Sequence, residues 1–228
     1  MTVAPLVPTG ATRRRATGTR RPLVVEAVRR TGRALAHVVL RVEVVGREHV
    51  PAEGAVLLAG NHSGILDGPL VFFFAPRPPV LMTKSEIFVG IWPRPLGWLG
   101  LVPVHRGAPD RTALRAGLAE LTAGGAVGVF PEGTRGSGAL EQIADGLAYL
   151  AVRSGAPVVP LAVTGTAAAL PKGRAIPRFR TPVRIAFGPP VALSVDGDPR
   201  ARRTVRTAAE QLRLALVDHL RHATKESA

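Results

Sequence analysis

Short runs of β-branched and apolar residues punctuate this chain at Arg41–Val45, Ala55–Ala59, Val80–Thr83, Leu101–Val104, Ala126–Phe130, Val158–Thr164 and Val183–Phe187. Each has the length and composition of a strand. Helical patterns fill most of the gaps, over Leu66–Ala75, Asp110–Thr122 and Ile143–Ser154, and Pro199–His222 closes the chain. Such alternation constrains the chain to an α/β layer fold. Between Val158–Thr164 and Val183–Phe187 no clear helix intervenes, so the expected sheet is mixed, mostly parallel and seven-stranded, with flanking helices. No internal repeat is visible.

At 228 residues the chain fits one domain with a substantial core. It contains no cysteine, which excludes a disulfide framework, a thiolate zinc site and a cysteine nucleophile. The formal charge of +14 favours an anionic partner, either nucleic acid or anionic lipid. That charge is uneven: residues 1–41 hold nine arginines against the single acid Glu26.

Residues 1–21 mix Pro, Thr, Gly and Arg without apolar periodicity, and are expected to form a disordered basic tail. From 22 to 40, Glu26, Arg29, Arg30, Arg33 and His37 recur at spacings of three and four. Leu23, Ala27, Val28, Leu35 and Val38 are left for other faces, so this N-terminal segment reads as an amphipathic helix with a basic stripe. Two readings remain open: a helix packed on the domain with its arginines in water, or one lying in a membrane interface. Residues 41–228 form the remaining domain.

No stretch approaches the about eighteen apolar residues needed to span a bilayer; the most apolar run, Leu70–Ala75, stops at Pro76. The basic start also lacks the apolar core of a signal peptide, since Leu23-Val24-Val25 gives way at once to Glu26. A cytoplasmic protein is expected. Against a nucleic-acid partner, the single tyrosine and seven phenylalanines are not interleaved with the basic residues in a stacking pattern.

Chemistry gathers where strands end. Asn61-His62-Ser63-Gly64-Ile65-Leu66-Asp67 follows directly on Ala55–Ala59. His62 can take a proton from an alcohol near neutral pH, and Asp67, bonded to the other ring nitrogen, would fix its tautomer. A structural pair is the competing reading. Ser63 as nucleophile is disfavoured because adjacent side chains rarely meet. Phe130-Pro131-Glu132-Gly133-Thr134-Arg135-Gly136 ends another strand with an acid, a hydroxyl and a guanidinium on flexible backbone, a set that suits a phosphate-bearing polyol. The alternative is a polar loop in which Glu132 and Arg135 pair structurally.

Lys84, Arg106 and Arg135 each follow a strand, and in adjacent strands they could converge on one phosphate; taken singly, each reads rather as a solvated surface charge. Pro160 inside Val158–Thr164 is expected to mark a bulge, an edge or an irregular stretch. His37, His49, His105, His219 and His222 are read as structural or solvated, without a dyad partner. Leu70–Ala75 is a candidate apolar cleft lining and Trp92–Trp98 a candidate interfacial segment, each with core or loop as the alternative. No metal-binding motif is visible.

In order and spelling these segments resemble the lysophosphatidate acyltransferase family, also called 1-acylglycerol-3-phosphate O-acyltransferases, over about residues 44–190. The matching blocks are Asn61-His62 with Asp67, then Val104-His105-Arg106, then Phe130 to Arg135, then Val158-Val159-Pro160-Leu161. The resemblance implies a catalytic dyad of His62 and Asp67, with Arg106, Glu132, Gly133, Thr134 and Arg135 binding a glycerol-phosphate acceptor. It also implies acyl-CoA or acyl carrier protein as donor substrate, no further cofactor, and residence on the inner face of the cell membrane against anionic lipid. The family often has serine two residues after the histidine and just after the third-block arginine. This chain has Gly64 and Gly136 there.

Overall fold

The computed structural model describes residues 21–88, 93–105, 110–133, 138–194, 197–199 and 201–225. Its seven strands are β1 (Leu40–Val45), β2 (Val56–Gly60), β3 (Val80–Lys84), β4 (Val102–Val104), β5 (Ala126–Val129), β6 (Val158–Thr164) and β7 (Thr181–Phe187). They form one sheet in the order β1-β7-β6-β2-β5-β3-β4. The helices are α1 (Pro22–Val39), α2 (Asp67–Phe74), α3 (Pro93–Leu99), α4 (Arg111–Thr122), α5 (Asp145–Ser154), α6 (Thr166–Ala169) and α7 (Arg202–Lys225).

The sheet is mixed and mostly parallel, as expected. The strands β6, β2, β5, β3 and β4 run parallel, so all five deliver their C-terminal ends to one edge. The other two run the opposite way: β7 pairs antiparallel with β6, and β1 lies parallel to β7. The side-chain alternation of β2 divides the core. Val56 and Leu58 join the layer containing α1 and α2. Leu57 and Ala59 face the layer of α4, α5 and α7, where Leu147, Leu150, Leu212 and Leu216 are buried. Burying each such leucine contributes about 1.5–3 kcal/mol.

Pro160 departs from expectation. It lies in register with Ala59 of β2 inside an interior strand, not at an edge or bulge. The ring is tolerated because Pro160 stands one residue before the β6–β7 ladder starts at Leu161↔Phe187, where its carbonyl accepts from Gly188 N–H. Its missing N–H faces that ladder end, so no bond to β2 is lost.

The basic stripe of α1 is also divided. Arg29 is buried, donating from Nε to the Phe72 carbonyl at 2.9 Å and from its terminal nitrogen to the Ala75 carbonyl, while Arg33 reaches the Phe73 carbonyl at 3.3 Å. Both guanidiniums therefore satisfy carbonyls at the C-terminal end of α2, where cations are favoured. Leu23, Leu35 and Val38 point outward. A Cβ on Gly32 would meet the Phe73 ring at 2.5 Å, a measure of how closely α1 and α2 approach.

Candidate active site

The parallel edge assembles side chains distant in sequence. As β2 ends, the Asn61 side chain continues its ladder: Nδ2 donates to the Val163 carbonyl at 2.9 Å, and Oδ1 accepts from Val163 N–H at 2.8 Å. These bonds tie the exit of β2 to β6. The next residue, His62, is held by its backbone N–H, which donates to Glu132 Oε1 at 2.9 Å. Glu132 follows β5, the neighbour of β2 on the other side.

His62 Nδ1 lies 2.9 Å from Asp67 Oδ2. Asp67 is the first residue of α2 and is fully buried. The same Oδ2 accepts from Gly64 N–H at 2.8 Å, and Oδ1 accepts from the Thr166 hydroxyl. Every oxygen of this buried carboxylate is thus engaged, as burial demands. Acceptance at Oδ2 keeps a proton on Nδ1 and leaves Nε2 as the nitrogen able to take another. The imidazole stacks on Phe130 with centroids 4.7 Å apart and an interplanar angle of 24°. The turn from His62 to Asp67 is closed by Asp67 N–H donating to the Gly64 carbonyl.

Thr166 escaped the sequence reading, although it follows the fourth block by five residues. Its signal would have been position: it opens α6 just beyond the C-terminal end of β6, beside the end of β2. It also explains the glycine at position 64. A Cβ there would stand 2.6 Å from Thr166 Oγ1, so a side chain would displace the hydroxyl that holds Asp67. Ser63 Oγ reaches the same hydroxyl at 3.3 Å.

Of the other expected site residues, Lys84 closes β3 and lines the same cleft as His62. Gly133 lines it too, and its φ of +66° is a conformation that glycine adopts without strain. Burial pushes the Glu132 carboxyl up from the usual range, against the lowering effect of the His62 amide bond. Arg106, Thr134 and Arg135 lie outside the described residues, as do Gly136, Ser137, Trp92 and residues 1–20 of the tail. The strands before Arg106 and Arg135, β4 and β5, end on the same edge.

The cleft has a volume of about 2070 Å³. Phe72, Phe73, Met82, Leu96 and Leu99 form an apolar stretch of its wall. In the segment 70–75, Phe72 and Phe73 therefore line the cleft, whereas Leu70, Val71, Phe74 and Ala75 belong to the core. Trp98 lies under the Arg21 guanidinium at 4.5 Å.

One expectation fails at His105. Asp110 stands from it as Asp67 stands from His62, and His105 Nδ1 lies 3.0 Å from Asp110 Oδ2. In sequence Asp110 reads equally as a helix N-cap, and it is one: Oδ1 accepts from Thr112 and Ala113 N–H.

The fold and the paired imidazole at a parallel strand edge define an α/β protein built for polar chemistry beside an apolar wall. A profile of the acyltransferase family matches residues 41–164, more than half of the chain. The chain belongs to that family. It is 32% identical over 164 residues to a 1-acyl-sn-glycerol-3-phosphate acyltransferase of Limnanthes alba, covering 66% of this chain and 54% of that protein. It is 30% identical over 139 residues to a protein of the same name from Borreliella burgdorferi, covering 56% and 52%. The chain thus spans about half the length of these curated relatives. Its structure resembles the crystal structure of the 1-acyl-sn-glycerophosphate (LPA) acyltransferase PlsC from Thermotoga maritima, with a TM-score of 0.62 and 26% identity over 86% of this chain and 79% of that one.

Proposed function

We propose that this protein transfers a fatty acyl group from a thioester to the free hydroxyl of a lysophosphatidate-like lipid, as a step in phospholipid biosynthesis. The observation that carries this reading is His62, oriented through Nδ1 by a fully buried, fully bonded Asp67 and facing a cleft with an apolar wall. His62 Nε2 takes the acceptor proton as the hydroxyl oxygen attacks the thioester carbonyl. The tetrahedral intermediate then expels the thiolate, which recovers the proton from the imidazolium. Asp67 stabilises that imidazolium. Glu132 holds the His62 backbone, and Lys84, Arg106, Thr134 and Arg135, with Gly133, hold the acceptor phosphate.

Acyl-CoA offered with lyso-lipids that differ only in head group tests the reading, with free thiol followed. Thiol release should depend on acceptor and be fastest with phosphate-bearing lipids. Arg106→Ala and Arg135→Ala should each raise KM for those lipids by a factor equivalent to about 1–3 kcal/mol and spare monoacylglycerol. Thiol release indifferent to acceptor would sink the assignment.

No helix among the described residues is long and apolar enough to cross a membrane. A surface for lying on one is present: Leu23, Leu35 and Val38 of α1 are exposed, as are Ile176 and Phe179. Arg180 joins the two segments, donating to the carbonyls of His37 and Val39. Exposed apolar groups on a chain of formal charge +14 suit anionic lipid. Deleting residues 1–41 is a poor test, since Val25, Arg29 and Ala36 are buried and β1 begins at Leu40. Leu35→Asp with Val38→Asp should instead weaken sedimentation with anionic vesicles in a folded protein. Unchanged sedimentation would refute the docking role.

A further inference from the structure

Asp67 and Thr166 are both fully buried, and the bond between them has a direction. A carboxylate only accepts, so the single hydroxyl proton of Thr166 is spent on Asp67 Oδ1. Ser63 Oγ lies 3.3 Å from the same Thr166 oxygen, and with that proton committed Ser63 must be the donor. Three side chains thus form one chain, in which Ser63 donates to Thr166 and Thr166 donates to Asp67. The chain closes on itself: Asp67 Oδ2 meets His62 Nδ1, and Ser63 is the residue next to His62. The imidazole and the backbone of His62 are therefore held from the two ends of one hydrogen-bonded ring.

The fold fixes each member of that ring. Gly165, at φ +85°, turns the chain from β6 into α6, and a Cβ there would collide with the Pro182 carbonyl, so the corner carrying Thr166 is pressed against β7. On the other side Gly138 closes over Ser63, where a Cβ would stand 3.0 Å from the Ser63 Cβ. Among the described residues His62 and Ile65 line the cleft, whereas Ser63, Asp67 and Thr166 stand behind them. Hydroxyls that do not face the cleft affect turnover only through what they hold. We infer that Thr166 and Ser63 are positioning residues: Thr166 orients Asp67 against the imidazole, and Ser63 acts one step further back, through Thr166. Linked hydrogen bonds polarise one another, so the contribution of Ser63 exists only while the Thr166 hydroxyl is present. This rests on His62 as the base of the proposed acyl transfer and adds the residues that aim it.

Single and double variants of the full chain test this, with kcat and KM read from thiol release and circular dichroism showing that each is folded. Thr166→Ala should lower kcat by about tenfold with KM within about twofold of the parent's, and Thr166→Ser, which restores the donor, should recover most of the loss. Ser63→Ala should lower kcat by about threefold in the parent and by nothing further in Thr166→Ala. The Nδ1 proton of His62, assigned as the downfield proton resonance missing from His62→Ala, reads the same geometry without turnover. It should broaden by exchange in Thr166→Ala and return in Thr166→Ser. A folded Thr166→Ala with the parent's kcat or an unmoved proton resonance overturns the inference. So does a Ser63→Ala loss that multiplies with that of Thr166→Ala, or a loss confined to KM. A parent that releases no thiol with any acceptor sinks the acyl-transfer reading instead, and the proton resonance then still decides whether Thr166 holds the imidazole through Asp67.

Discussion

Two histidine–aspartate pairs of identical spacing occur in this chain. His62–Asp67 follows β2 and His105–Asp110 follows β4, with Nδ1 to Oδ2 distances of 2.9 and 3.0 Å. By spacing and distance they are twins, yet the environments differ. The His62 side chain is 16% exposed and its aspartate 0%, whereas that of His105 is 78% exposed. Asp67 spends its remaining bonds on Gly64 and Thr166, holding a turn rigid around the imidazole. Asp110 spends its own on the first amides of α4 and on His105 N–H. On the mechanism proposed above, one carboxylate orients a base; the other starts a helix. Spacing makes such a pair; burial and the carboxylate's other partners decide its use.

The largest expected difference between the twins is in turnover. His62→Ala should lower kcat by about a hundredfold or more, with Asp67→Asn nearly as damaging because the tautomer is lost. His105→Ala should stay within a few-fold of the parent. Steady-state thiol release at saturating substrate measures all three, and equal losses at both histidines would erase the distinction drawn here.

Glu132 and Thr166 test the rigidity around the first pair. Thr166→Val leaves a carboxylate oxygen of Asp67 buried without its donor, at a cost of about 1–3 kcal/mol in stability. A drop in kcat of about tenfold should accompany it if a loosened carboxylate orients the imidazole less well. Glu132→Gln preserves an acceptor for His62 N–H and should retain more activity than Glu132→Ala. Should both Glu132 variants change KM for the acceptor and leave kcat alone, Glu132 binds substrate and does not act through His62.

Much of this was legible in the chain. All seven strands lie within two residues of the β-branched runs, because a buried parallel sheet selects such residues almost continuously. His62 and Asp67 were legible because both belong to one turn. Contacts across the sheet were not. Thr166 meets Asp67 from 99 positions away, and Glu132 reaches His62 from 70. The inward turn of Arg29 and Arg33 was hidden for a related reason: a periodicity assigns residues to faces, but the waiting carbonyls of α2 decide which face is buried. Pro160 was misread because a proline's tolerance depends on which neighbour its missing N–H would have faced.

The smallest expected effect concerns the second pair and is one of stability. Asp110 accepts from two amides of the α4 first turn, so Asp110→Ala should cost about 0.5–2 kcal/mol, the usual worth of an N-cap, and lower Tm. Asp110→Asn, an equally good cap, should recover most of that loss. The cost has a pH signature. Backbone bonds from His105 and Ala113 and the bond to the His105 ring hold the Asp110 carboxyl down at about 2, from an ordinary value of 3.8. A carboxylate depressed on folding contributes stability that is present above the unfolded value and is lost as pH falls through the folded one. The Tm gap between parent and Asp110→Ala should therefore hold steady from neutral pH down to about 4 and close between about 4 and 2. Through that series His62 and Asp67 are untouched, so kcat of Asp110→Ala at neutral pH should remain within a few-fold of the parent's. A hundredfold loss of turnover in a folded Asp110→Ala would mean that both pairs serve the reaction, and that burial is not what separates them.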